Sequence, residues 1–94
     1  MATFQATQNL PECDFPVDHL NGTGRATLLA EYQAAERALS RFALQLADVT
    51  CNARDYYPIS SEAYADARRT RDAAFALIDE LSAYIEDHIA YLSR

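Results

Sequence analysis

The sequence predicts an all-α fold: a long antiparallel helical hairpin over residues 23–94, preceded by an irregular N-terminal arm over residues 1–22. The chain has 94 residues, which fits a single domain. It contains 18 alanines but only two glycines and three prolines, a composition typical of helices rather than of β-sandwiches or barrels. Two long stretches repeat apolar residues at alternating steps of three and four, the spacing of one helix face.

The arm is expected to be ordered although it has no helical period. Pro11 and Pro16 exclude a regular helix across it. Leu10, Phe15 and Val17 are nevertheless too apolar for a solvated tail. We therefore expect the arm to pack along the helices, with the first eight residues frayed.

The first helix is predicted over residues 23–53. Thr23 is a suitable N-cap, and no Pro or Gly follows Gly24 within this stretch. The apolar seam advances through Leu28, Tyr32, Ala35, Leu39, Phe42, Leu46, Val49 and Ala53. A seam kept for this length predicts a rod of roughly 45 Å.

The second helix is predicted over residues 61–92. Pro58 ends the preceding connection, and Ser60 or Ser61 offers a new N-cap. Two long helices joined by a short connection pack antiparallel. Folding about residues 55–57 would place Ala35 beside Ile78.

A single hairpin buries only one side of each helix, and the second helix is apolar over more than one stripe. We expect a second copy to cover the excess apolar face, giving a homodimeric four-helix bundle. The residues assigned to this packing and dimer seam are Phe75, Ile78, Leu81, Ile85, Ile89 and Leu92. The N-terminal arm is the alternative cover for the same face.

Charge and cysteine content limit the partners and the compartment. The formal net charge of −6 disfavours nucleic acid as a partner. No run approaches the roughly 18 apolar residues of a membrane span, so no membrane partner is expected. Residues 1–20 show no basic and apolar leader, which predicts a cytoplasmic protein. In that reducing compartment, Cys13 and Cys51 are expected to be free thiols.

The turn between the helices is the first candidate binding site. It combines Asn52, Arg54, Asp55, Tyr56 and Tyr57, and a guanidinium beside aromatic faces could hold an anionic or planar ligand. The favoured interpretation is structural: Asn52 ends the first helix, Arg54 pairs with Asp55, and Tyr56 packs at the end of the bundle.

His19 and His88 are the second candidate, because the hairpin could bring the two imidazoles together. Their spacing matches no zinc pattern, so we expect no metal and no cofactor, with His88 a hydrogen-bonded residue of the core. No Gly-rich phosphate loop, nucleophile in a recognisable turn or Glu-x-x-His pair is present. We therefore expect no enzymatic activity.

Residues 19–23 read His-Leu-Asn-Gly-Thr, and residues 52–58 read Asn-Ala-Arg-Asp-Tyr-Tyr-Pro. This pair of motifs resembles that of small uncharacterised helical proteins from bacteria and phages, over roughly residues 19–92. The resemblance implies that the start of the first helix and the turn belong to a common design. It implies no activity.

These observations lead to one expected function and one alternative. The expected function is a non-catalytic helical module for self-association and protein–protein interaction. The alternative is a helical bundle that binds a small molecule, an anion or a metal through the turn at residues 54–57 or through His19 and His88.

Overall fold

The computed structural model describes residues 2–94, and it confirms the predicted helical hairpin. Two long helices, α1 (Arg25–Ala47) and α2 (Ala63–Leu92), pack against each other, and a single 3-10 turn (Ala53–Asp55) lies in their connection. The all-α class needs one correction, because the arm contains two short strands, β1 (Thr3–Phe4) and β2 (Cys13–Asp14).

α1 is shorter than the predicted helix over residues 23–53. It begins after Gly24 rather than Thr23, and no side chain caps its first turn. It ends at Ala47, with the backbone N–H of Asp48 bonded to the carbonyls of the last turn. The apolar period continues past this point, and the final carbonyls of α1 accept hydrogen bonds from a side chain of α2 described below.

α2 nearly matches the predicted helix over residues 61–92. Its N-cap is Glu62, not Ser60 or Ser61, and no side chain caps the first turn. Asp66 lies in that turn, where the helix dipole favours a negative charge. The two glycines of the chain both lie before α1, so neither long helix is interrupted.

The two helices are displaced by one to two helical turns from the predicted register. Ala35 was expected beside Ile78, which would have placed Tyr32 near Leu81. Instead, the Tyr32 ring stacks on His88 with centroids 4.7 Å apart. Because α1 ends early, the start of α2 packs against the connection instead, with the Tyr56 and Tyr64 rings 6.1 Å apart.

The arm folds back on itself and reaches the helices. β1 and β2 pair antiparallel, with Thr3 opposite Asp14 and Phe4 opposite Cys13. The expectation that the first eight residues fray is wrong for the described part, since the Phe4 side chain is only 1% exposed. Met1 lies outside the described residues.

The molecule is a narrow rod with little interior. Its principal extents are 61 × 23 × 19 Å. Among residues 2–94, four side chains are buried: Phe4, Ile78, His88 and Leu92. Neither helix within this range has a stretch apolar enough to cross a lipid bilayer.

Candidate functional site

His88 is the centre of an aromatic cluster that joins the arm to both helices. Phe15 meets the His88 ring edge-on at 4.8 Å from one side, and Tyr32 stacks on it from α1. Tyr84 and Phe4 also contact it, with centroids at 4.4 and 6.1 Å. His88 is 2% exposed, so it fills the core position predicted for it.

Hydrogen bonds fix the orientation of the rings in this cluster. Nδ1 of His88 lies 2.7 Å from the carbonyl oxygen of Tyr84, and a carbonyl can only accept, so this nitrogen carries the proton. The hydroxyls of Tyr32 and Tyr84 are 3.3 Å apart. Burial, reinforced by that contact, raises the pKa of Tyr32 to about 12. Nδ1 of His88 and the hydroxyls of Tyr32 and Tyr84 therefore all have hydrogen-bond partners inside the cluster.

The structure does not place His19 with His88 in the cluster. His19 is exposed and accepts a hydrogen bond from the Asn21 backbone N–H at Nδ1. Its imidazole lies over Gly22, where a Cβ atom would stand 2.6 Å from Nε2. Part of the His-Leu-Asn-Gly-Thr motif thus forms a local turn. No group of three or more His, Cys, Asp or Glu suited to a metal ion occurs within residues 2–94.

The candidate site residues of the turn do not form a pocket together. Asn52 and Tyr56 are half-buried, whereas Arg54, Asp55 and Tyr57 are exposed. Asn52 does not end the first helix, which stops at Ala47; it precedes the 3-10 turn, and its carbonyl accepts from the Asp55 N–H. The expected ion pair between Arg54 and Asp55 is not formed, since within residues 2–94 Arg69 and Asp66 make the only one.

The residues of the predicted packing and dimer seam differ in how deeply they are buried. Ile78 and Leu92 are buried within the single chain, whereas Leu81 is 43% exposed. The remaining members are half-buried: Phe75, Ile85 and Ile89. The seam is therefore mainly a contact inside one hairpin, and the apolar surface left for a partner begins at its edge.

Large apolar side chains remain exposed along the part of the hairpin that the arm does not reach. The most exposed on the helices and at the end of α1 are Phe42 at 55%, Leu44 at 71%, Val49 at 54% and Leu77 at 47%. Leu44 follows Phe42 by two residues in α1 and so lies on the opposite side of that helix. At the arm end the aromatic rings are enclosed, and the large exposed apolar side chains there are Val17 and Leu20 of the arm itself. The side of the hairpin that carries Phe42 and Leu77 is the main candidate for contact with another molecule.

The groove between the helices on the side away from Phe42 and Leu77 is acidic. Its base contains Leu39, Ile78 and Ile85, and its walls carry the carboxylates of Glu36 and Asp79. An apolar floor between two carboxylates would suit a cationic side chain better than a second acidic surface.

In addition to the contacts of the aromatic cluster, one carboxylate of α2 holds the arm through hydrogen bonds. The backbone N–H and side-chain amide of Asn9 each donate to Glu80, one to each carboxylate oxygen, at 2.7 Å. These bonds, with a further contribution from Thr7, hold the pKa of Glu80 below its usual range. Glu80 therefore marks how far along α2 the arm extends.

Two arginines, which sequence reasoning assigned no such role, bind the ends of the helices. Arg25, the first residue of α1, donates to the carbonyls of Tyr91 and Leu92 at the end of α2. Arg71 of α2 donates to the carbonyls of Ala47 and Val49 at the end of α1. Neither helix has a basic residue in its own last turn. This absence could have indicated from the sequence that the last carbonyls of each helix bind a cation from elsewhere in the chain.

Cys13 is exposed and Cys51 is half-buried, and both are free thiols, as predicted.

No protein-family model matches the chain, and no curated protein and no solved structure matches it closely enough to indicate a relationship.

Proposed function

We propose that this chain is a non-catalytic helical module that works by self-association and by contact with protein partners. The observation that carries the proposal is the exposed apolar surface of the hairpin, including Phe42, Leu77 and Leu81. Large apolar groups grouped on one part of a surface are typical of an interface.

The shape of the chain supports the same proposal. Its radius of gyration is 18.2 Å, whereas a compact domain of this length has about 12 Å. Its accessible surface is 6773 Å², whereas a folded monomer of this mass exposes about 5,400 Å². The excess is larger than the roughly 800 Å² that each partner buries in a standard interface.

Sedimentation equilibrium and light scattering over a micromolar concentration range test self-association directly. We expect a dimer, and thermal unfolding whose midpoint rises with protein concentration, because association stabilises only the folded chain. A folded, strictly monomeric species with a concentration-independent midpoint would contradict the proposal.

A second candidate function rests on the turn at residues 54–57. Arg54, Asp55 and Tyr57 are exposed and make no side-chain hydrogen bond within the described part of the chain. The Arg54 guanidinium and the Tyr57 hydroxyl are therefore free to donate to an anionic ligand, whereas the Asp55 carboxylate would not contact it. A thermal-shift series with phosphate, sulfate, nucleotides and carboxylic acids tests this function. Stabilisation that disappears in Arg54→Ala and persists in Arg69→Ala would support it; no stabilisation by any anion would exclude it.

A further inference from the structure

The exposed apolar residues of α2 continue the stripe on which the arm lies. Leu77, Leu81, Tyr84 and His88 follow at spacings of four, three and four, so they share one side of the helix. The arm covers Tyr84 and His88 with Phe4 and stops at Glu80. Beyond that point Leu77 and Leu81 are 47% and 43% exposed.

α1 contributes to the same side of the hairpin. Ala35, Ala38 and Phe42 follow at spacings of three and four, and Phe42 is 55% exposed. Helical geometry places them on one flank of Leu39, whereas Glu36 and Ser40 lie on the other flank and line the acidic groove. We name the surface formed by six residues the arm face: Ala35, Ala38, Phe42, Ala74, Leu77 and Leu81.

Charge distinguishes the two sides of the hairpin. None of the six residues of the arm face is charged, and three are alanines that let helices approach closely. A carboxylate that adjoins it on α1, that of Glu31, lies beside Ala35 at its edge. The other side carries Glu36 and Asp79 on its groove walls. Two copies that met through the acidic groove would bring like charges together, which destabilises an interface. Two copies that met through the arm face would bury apolar and small side chains.

We propose that a second copy of this chain covers the arm face and completes a four-helix bundle in the part of the hairpin that the arm leaves open. The inference rests on the proposed self-association and adds the surface through which it occurs. The same face is used by both copies, so the interface is self-complementary about a two-fold axis. The whole chain also exposes more surface than a compact monomer of its mass, part of which an interface on this face would cover.

The test compares Ala38→Glu with Ser40→Glu. Both positions are exposed residues of α1, two apart, and the same carboxylate is introduced on opposite sides of the hairpin. We expect Ala38→Glu to raise the dimer dissociation constant at least tenfold in sedimentation equilibrium, and Ser40→Glu to change it less than about threefold. Far-UV circular dichroism at high dilution should show the same helix content in both variants.

Leu77→Gln makes the same test from α2 and should weaken the dimer without changing the fold, because the side chain is already half exposed in the single chain. A wild-type chain that is monomeric would overturn both self-association and this inference. A wild-type dimer that responds equally to both glutamates, or more strongly to Ser40→Glu, would overturn the arm face alone and leave self-association standing.

Discussion

The two ends of the hairpin show how much additional apolar surface is buried when a third element packs on a pair of helices. At the arm end, Phe4, His88 and Leu92 are each at most 3% exposed. In the other half of the rod, Ile78 is the one buried side chain within the described residues, and Phe42 and Leu77 remain about half exposed. Both halves use the same two helices with the same spacing of apolar residues. Two helices bury one stripe between them, and only a third layer encloses the neighbouring stripe.

Replacing a phenylalanine in each half should give the largest contrast. Phe4→Ala removes a ring that is 1% exposed and should lower the free energy of unfolding by about 3–5 kcal/mol. Phe42→Ala removes a ring that is 55% exposed and should cost about 1 kcal/mol or less in a dilute, monomeric sample. Urea denaturation of both variants measures the difference.

Protein concentration sharpens this comparison. If a second copy covers Phe42, the cost of Phe42→Ala should grow as the concentration rises above the dimer dissociation constant, while the effect of Phe4→Ala does not change in that manner. Equal losses for the two variants at every concentration would mean that the two halves do not differ as described.

The arginine that closes the end of α1 should have the next largest effect. Arg71→Gln removes two charge-assisted hydrogen bonds to the carbonyls of Ala47 and Val49 and should cost about 1–2 kcal/mol. Arg69→Gln is the matched control two residues away, and its exposed ion pair with Asp66 is worth about 0–1 kcal/mol. Thermal unfolding at low concentration distinguishes them; equal midpoints would show that Arg71 does not stabilise the end of α1.

The smallest effect should be the pH dependence of the arm. Since its hydrogen bonds lower the pKa of Glu80 in the folded chain, they stabilise the fold above the usual glutamate range, and this contribution is lost as pH falls through the lowered pKa. Glu80→Gln should therefore melt below the wild type at neutral pH, and the difference should vanish in acid.

Limited proteolysis of the arm gives an independent measure of the same contact. Cleavage near residues 7–10 should be faster in Glu80→Gln than in wild type at neutral pH, because Asn9 loses its carboxylate partner. Glu86→Gln on the same helix is the control, since Glu86 lies outside this contact. Identical cleavage rates in the two variants would show that Glu80 does not hold the arm.

The sequence contained enough information for the helices and too little for their ends. Apolar spacing located both helices, because periodicity depends on many residues and tolerates local errors. The same spacing continued to Ala53, whereas α1 ends at Ala47. The side chain bonded to the carbonyls at that end is Arg71, which lies in the other helix and could be assigned only once the register of the hairpin was known.

The arm shows the second limit of sequence reasoning. Its strands have two residues each, too few to give a period, so Phe4 was expected in a frayed segment. The aromatic cluster draws its rings from the arm, α1 and α2, and no local pattern connects them. His88 was correctly expected in the core because it lies on the apolar seam of its own helix. His19 does not join the cluster, because proximity of chain segments does not fix which side chains meet; it is exposed and bonded within its own turn.

The arginines at the helix ends also make the folding of each helix depend on the other. When the first turn of α1 unwinds, Arg25 withdraws from the final carbonyls of α2. Arg71 lies two turns inside α2, so the final carbonyls of α1 lose their partner only when unwinding of α2 reaches that far. Amide hydrogen exchange in the last turn of α2 should therefore be coupled to opening of the first turn of α1, whereas the end of α1 should stay protected until the first two turns of α2 have opened.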